Sequence, residues 1–382
     1  KINYRFVSEK KSQQTYATNS KMANGTWVKI KVEKPGVYKL TYEQLQEMGF
    51  SNFSNIGVFG YGGMLPKTVG QVIADDMPER PLLKVDANSN SVFDGGDYIL
   101  FYADGPHSIK FTSTLFSHEY HNYSLSSYYF VSDRGSFKAP INISSSNSFD
   151  KTVTTYDDYL FLEKDSINLI KSGRTWFWRE FDYYLNHEFN LNVKNISLSD
   201  TAIVRVRVAA RSSVSSNFKL SINGINQPNI PIASVSNSTT EVFARQNDSA
   251  KINTFRVLPS SENFKFNLTY TKTATNSKGW LDYISVQLRR KLSLTDTGFL
   301  VFRDTKSVEN NTKVKFIVSG ANSSSLIWDI TDRFNAKQIS SNISGDKLSF
   351  VAESNELREY LVFDYKANFP SPIYSGSADV GH

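Results

Sequence analysis

The spacing with the clearest chemical meaning is carried by Asp86, Asn88, Asn90, Val92, Asp94 and Asp97. Counted from Asp86, side-chain oxygens fall at the first, third, fifth, ninth and twelfth positions, and the Val92 carbonyl falls at the seventh. That is the ligand spacing of a calcium loop, in which a hard cation is wrapped by carboxylate, amide and carbonyl oxygens. Two residues depart from the pattern. Ser91 stands where glycine normally makes the sharp turn, and Asp97 replaces a longer bidentate Glu. A non-glycine residue in the left-handed conformation costs about 1–2 kcal/mol, which binding of Ca2+ would offset. The other reading is an Asx-rich β-hairpin turn with solvated acids. The flanks read as strands, so no calcium-sensing helix pair is expected.

Other constellations carry less. His118-Glu119-Tyr120-His121 superficially resembles a zinc-protease helix, but its histidines are three apart and lie in an aromatic, strand-like segment. On a strand that odd spacing sends them to opposite faces, so packing or an exposed edge is expected. Trp176-Phe177-Trp178 is either a sugar-stacking platform in a loop or a core anchor. Arg289-Arg290-Lys291 reads as a solvated strand end, and the neighbouring pairs Asp75-Asp76 and Asp157-Asp158 as solvated acids. The G-x-S-x-G elbow and the phosphate-binding G-x-x-x-x-G-K-[ST] are both missing, and the loop Gly60-Tyr61-Gly62-Gly63 is followed by no helix-opening sequence. No catalytic residue is assigned.

The elements that must position these residues are β-strands. The chain has 382 residues, 27 Phe, 20 Tyr and no cysteine, and Lys+Arg exceeds Asp+Glu by 43 to 37. Thiol catalysis, thiolate metal sites and disulfides are therefore excluded within it. The mild positive charge is spread along the chain, which argues against nucleic acid as a partner. No run of 18 apolar residues appears, so no membrane-spanning helix is expected, and the sequence as it stands begins without a leader.

Val28, Ile30 and Val32 alternate with lysines, and Tyr4 and Phe6 hint at an earlier strand. Thr41 and Gln44 form a capping-box pair before Leu45, with Gly49 placed as a C-cap, which predicts one short helix. Tyr98–Tyr102 is a continuous apolar run. Val204, Val206 and Val208 alternate with Arg205 and Arg207, and Phe218, Leu220 and Ile222 lead into the hairpin signal Asn223-Gly224. The expected fold is all-β, with two or three antiparallel units including a jelly-roll-like sandwich and one short helix. The expected division is 1–150, an N-terminal β domain, then 151–293, the sandwich. A small β unit over 294–365, small for an independent core and so expected either to pack on the first domain or to complete a sheet of it, and a linker over 366–382 complete the division.

Several strings recur in a known order: Gly60-Tyr61-Gly62-Gly63-Met64-Leu65-Pro66, Phe93-Asp94-Gly95-Gly96-Asp97-Tyr98-Ile99-Leu100-Phe101-Tyr102, His121-Asn122-Tyr123-Ser124, Gly173-Arg174 before Trp176-Phe177, Leu281-Asp282-Tyr283-Ile284, and Trp328-Asp329-Ile330-Thr331. In this order they resemble the region preceding the catalytic domain of PorU-like, gingipain-type cysteine peptidases, the sortases of the type IX secretion system in Bacteroidetes. The resemblance covers nearly the whole chain. It implies a secreted, cell-surface or outer-membrane-associated protein that continues past His382 into a caspase-like peptidase domain holding the catalytic His and Cys. In that family the peptidase trims exported cargo and joins it to an outer-membrane glycolipid. The implied partners are the downstream peptidase domain, secretion-system proteins and cargo, and the implied role is to scaffold or position the peptidase. The alternative is a carbohydrate-binding sandwich over 151–293 of a surface protein.

Overall fold

The computed structural model describes residues 17–64, 75–112, 115–121, 123–236, 242–247, 253–294 and 297–378. The expected strand at Tyr4 and Phe6, the residues Leu65 and Pro66 and the terminal His382 lie outside them. As the composition predicts, the fold is nearly all β, and Tyr42–Glu47 is the one α-helix among the described residues. The capping box closes as expected. Thr41 Oγ1 accepts from the Gln44 N–H at 3.2 Å, and the Thr41 N–H donates to Gln44 Oε1 at 3.0 Å. Gly49 follows the helix at φ +94°, a left-handed C-cap.

Most strands fall into three pairs of sheets, each pair sharing a core. The first joins a five-stranded sheet, ordered Ile373–Ser377, Trp27–Val32, Ser127–Ser132, Gly57–Phe59 and Glu79–Arg80, to a three-stranded one of Gly36–Thr41, Tyr98–Ala103 and Leu82–Val85. Val28, Ile30 and Val32, predicted to face inward, pack there against Leu40, Ile99 and Phe101. The second is the expected sandwich. Thr155–Glu163, Lys278–Lys291 and Ala202–Arg211 run side by side in one sheet, and Asn186–Asn192, Asn263–Thr271 and Ser216–Ile222 in the other. Val204, Val206 and Val208 meet Phe218, Leu220 and Phe266 in its core, leaving Arg205 and Arg207 on the outer face. Asn223 and Gly224 take φ +49° and +81°, the two positive values a two-residue type I′ hairpin requires.

The third pair is built from both sides of the sandwich in sequence. Phe299–Phe302, Tyr360–Asp364, Ser325–Asp329 and Lys337–Ile339 form one sheet, with Ile141–Ile143 added in parallel at its edge. Lys313–Ser319, Lys347–Glu353 and Asn342–Ser344 form the other, with Lys151–Val153 added in parallel. The polar Ser/Asn stretch 144–147, just before the expected division at residue 150, therefore carries the chain from one sheet of this pair to the other.

Two apolar runs explain how the first and third pairs meet. In Tyr98–Ala103, Ile99 and Phe101 point into the first core while Leu100 and Tyr102 point away from it. In Tyr360–Asp364, Tyr360 and Val362 point into the third core while Leu361 and Phe363 point away. The outward residues form a common cluster with Val37, Trp328, Ile330 and Phe369. Each strand is buried on both faces, which is why each reads as a continuous apolar run. Fully burying one such side chain contributes roughly 1.5–3 kcal/mol.

The stretch 366–382 was expected to be a linker, and the structure corrects this for much of its length. Ile373–Ser377 pairs antiparallel with Trp27–Val32, and the Lys39 N–H donates to the Pro370 carbonyl at 3.0 Å. The reason is the ladder of Trp27–Val32, whose free edge offers main-chain donors and acceptors to any extended segment, whatever its side chains.

Candidate functional site

The loop 86–97 is closed by its own polar groups. Asp86 accepts from the Ser91 N–H at 2.6 Å and from the Asn90 N–H at 3.2 Å. Desolvation pushes its carboxyl up, but the N–H groups of Ser91, Ser89 and Asn90, with Lys84, together outweigh it and hold the carboxyl below the usual range. Asn90 Oδ1 accepts from the Val92 N–H at 2.7 Å. Asp94 takes the side-chain amides of Asn88 at 2.8 Å and Asn90 at 2.7 Å. Asp97, fully buried, accepts from the N–H groups of Ala87 and Asp94. Ser91 stands at φ +66°, the left-handed turn that glycine would otherwise supply. The six residues of the predicted spacing thus share one loop. In this geometry, however, the carboxylates face main-chain and amide hydrogens, and no group of three or more His, Cys, Asp or Glu is arranged to hold a metal ion among the described residues.

The histidines pack as side chains of the fold. His107 stacks on Tyr120 and accepts from the His121 N–H, while His121 Nδ1 accepts from the N–H groups of Tyr123 and Ser124. His118 faces elsewhere. It lies on the hairpin of Ser108–Thr112 and Leu115–Glu119, which reaches across the outer face of the sandwich sheet. Phe116 is the buried anchor of this hairpin. Its N–H donates to Gln287 Oε1 at 3.0 Å, and the Arg303 guanidinium lies over its ring. The His118 ring stacks flat on Phe161 with centroids 3.9 Å apart, and Nδ1 lies 2.6 Å from the Tyr159 hydroxyl. Its Nε2 meets the carboxyl of Glu163, the last residue of Thr155–Glu163.

His118 belongs to the string expected to pack or to lie at an edge, and it packs; its partner Glu163 carries no motif in the sequence. The only signal was the alternation of Tyr159, Phe161 and Glu163, which puts all three on one face of their strand. Burial dominates both ionisations. It pushes the Glu163 carboxyl up to about 8, aided by Asp165, and the His118 imidazole down to about 4, aided by Arg205 and Arg207. Between those limits one proton is shared and the pair is neutral. The pair edges a cleft of about 380 Å3, formed where the hairpin, Tyr283 and the loop through Trp176 come together. Arg207 and Asp282, 3.2 Å apart, form a second polar pair on its wall. The Trp176-Phe177-Trp178 string divides: Phe177 is buried, Trp178 packs beside the sandwich core against Phe189, and Trp176 stands 40% exposed on the cleft.

The acids and bases expected to be solvated are mostly internal. Asp157 and Arg289 are both buried and lie 3.1 Å apart, and Arg289 also meets Asp304. Asp158 pairs with Arg290 at 2.7 Å. The two aspartates do point to opposite faces, but each face is covered, because Arg303–Thr305 and the sandwich edge pack over them. Of the other pair, Asp76 accepts from the Lys21 and Met77 N–H groups.

A further network went unseen. Arg80 donates to Asp104 at 2.8 Å, Arg333 donates to Asp104 at 2.9 Å and to Glu359 at 2.6 Å, and Arg303 donates to Glu359. Burial opposes the ionised Asp104 and Glu359, but the guanidinium groups outweigh it and hold both carboxyls below their usual range. This network lines a cavity of about 610 Å3 with Tyr102 and Phe302.

The shared proton of His118 and Glu163 makes hairpin docking depend on pH. The folded state keeps the Glu163 proton from its ordinary value of 4.5 up to about 8, so this group loses stability as pH rises through that range. The folded state resists protonating His118 from 6.5 down to about 4, so that group loses stability as pH falls through that range. The two slopes cancel between 4.5 and 6.5. Above 6.5 only the Glu163 slope remains, and docking weakens by up to about 2 kcal/mol by pH 8. Hydrogen exchange of the 115–119 amides at pH 6 and pH 8.5, expressed as protection factors so that base-catalysed intrinsic exchange is divided out, measures this: lower protection at the higher pH is expected in the native chain and is lost in Glu163→Gln, which stays neutral.

No family model matches the sequence, and no curated protein matches it. Among solved structures, the fold is similar to that of dimeric latent PorU from Porphyromonas gingivalis, with a TM-score of 0.80 and 24% identity over 96% of this chain and 34% of that one. This chain therefore spans only about a third of the length of that structure. A family 35 carbohydrate-binding module from Clostridium thermocellum overlaps 34% of the chain at a TM-score of 0.21, and a CBM36 module in complex with calcium and xylotriose overlaps 26% at 0.19. Overlaps so slight carry no argument. The likeness to PorU is one of fold, and it extends through all three pairs of sheets.

Proposed function

We propose that this chain is the non-catalytic N-terminal region of a PorU-like, gingipain-type cysteine peptidase at the cell surface. Its role is to position a downstream peptidase domain and the cargo that domain receives. The observation that carries this reading is the shared fold with PorU over nearly the entire chain. The absence of any cysteine supports it, since a gingipain-type nucleophile must then come from elsewhere in the protein. So does the chemistry of the internal polar groups: the buried Asp157 and Arg289 and the partly buried Asp104 and Arg333 are each neutralised by a partner from another strand or loop, which suits a rigid support. The experiment is to read the gene beyond His382 and assay the purified chain. The expected result is a following α/β domain with a His and a Cys, and no peptidase activity in this chain alone. A reading frame that stops at His382, or peptidase activity that survives replacement of His118 and His121, overturns it.

The loop 86–97 is proposed to take Ca2+ through Asp86, Asn88, Asn90, Asp94, Asp97 and the Val92 carbonyl. The left-handed Ser91 and the five oxygen-bearing side chains at the ligand spacing within one loop support this. Binding requires the Asn88 and Asn90 amides to turn their oxygens inward in place of their N–H groups. At about 100 times Kd, calcium would stabilise the fold by about 2.7 kcal/mol. Melting with calcium and with chelator measures this. A higher melting temperature with calcium, abolished in Asp86→Ala, is expected, and identical melting temperatures contradict it.

A further inference from the structure

We propose that the cleft between the 108–119 hairpin and the sandwich is a saccharide-binding site, with Trp176 as its stacking surface. Its location answers what the Trp-Phe-Trp string alone left open. Two of the three aromatic residues are committed to packing, and the third is held half open on the rim of a cleft of about 380 Å3. That volume lies within the range of small-ligand sites.

The chemistry of the walls selects the ligand class. Arg174 and Arg207 stand among Asp165, Asp282 and Glu163, the last neutral in its pair with His118, and Arg207 is already paired with Asp282. An anion would meet the carboxylates and a cation would meet the guanidinium groups, so neither is favoured. A neutral ligand that both donates and accepts hydrogen bonds suits such a wall. The aromatic surfaces of Trp176 and Tyr283 add an apolar demand, and a ring with one C–H face and a rim of hydroxyls meets both. A pyranose has this form. The polar groups are set before any ligand arrives. The His118 side chain is 3% exposed, stacked on Phe161 and engaged at both ring nitrogens by Tyr159 and Glu163, so its part is to hold the Glu163 carboxyl in a fixed place on the wall.

The site is made jointly. His118, and Tyr120 just past it, come from the hairpin segment inserted between Tyr98–Ala103 and Ser127–Ser132 of the first pair of sheets, while Glu163, Trp176, Arg207 and Tyr283 belong to the sandwich. An excised sandwich would lack one wall, so binding belongs to the whole chain. This inference does not rest on the PorU-like reading, and each stands or falls separately.

The test is titration of the full chain, by calorimetry and by tryptophan fluorescence, with neutral glucose-, galactose-, mannose- and xylose-based oligosaccharides and, separately, with an arginine-rich peptide and an acidic oligosaccharide. Saturable 1:1 binding of at least one neutral oligosaccharide is expected. Trp176→Ala should weaken it at least tenfold, and Trp176→Phe should restore most of it. Tyr184→Ala, which removes an exposed ring away from the cleft, should leave it unchanged. Melting temperatures of the variants show that folding is intact. No saturable binding of any neutral oligosaccharide up to about 1 mM overturns the proposal. So does binding that Trp176→Ala leaves intact, or binding of the peptide or the acidic sugar alone.

Discussion

Two strands buried on both faces hold this molecule together. Tyr98–Ala103 and Tyr360–Asp364 each close one sandwich core and, with their opposite faces, build the apolar seam between the first and third pairs of sheets. A strand in this position has no polar face, so every residue along it must be apolar or paired. The seam ends where that requirement can no longer be met by hydrocarbon alone. There Asp104, one residue beyond Ala103, and Glu359, one before Tyr360, are tied to each other through Arg333. Asp104, Arg333 and Glu359 keep some contact with solvent, so removing one member leaves its partners charged and unpaired at a cost below the roughly 3–5 kcal/mol of a fully buried pair. Apolar contact thus joins the two pairs, and the ion network fixes how they meet.

This division explains what could be read from the residues alone. Alternation along Trp27–Val32, Ala202–Arg211 and Ser216–Ile222 reports a single buried face, and each forms a strand with the predicted inward set. The capping box and the Asn-Gly turn are local, so they too were legible. What stayed hidden depends on contacts between segments far apart in sequence. Asp157 and Arg289 look solvated as short charged strings, yet their strands pair in register and place them opposite one another under Thr305. Arg80, Asp104, Arg333 and Glu359 belong to no motif at all. Ile373–Ser377 has little apolar character and becomes a strand because Trp27–Val32 offers it an unpaired edge.

The candidate sites divide in the same way. The 86–97 loop is contiguous, so its spacing was visible at once, and its turn geometry agrees down to the left-handed Ser91. The cleft beside His118 draws on residues from His118 to Tyr283 and has no sequence signature beyond the Trp-Phe-Trp string and the face shared by Tyr159, Phe161 and Glu163. Its shape depends on a hairpin that leaves the first unit and lies across the sandwich.

The central claim is that the first and third pairs of sheets form one cooperative body through the seam. Native-state hydrogen exchange of the main-chain amides in 98–103 and 360–364, followed as denaturant is raised, tests it most directly. The account predicts that both strands exchange with the same high free energy and the same denaturant dependence, because neither opens without the other. If one strand exchanges at markedly lower free energy while the other remains protected, the two pairs unfold separately and the seam does not hold the fold together.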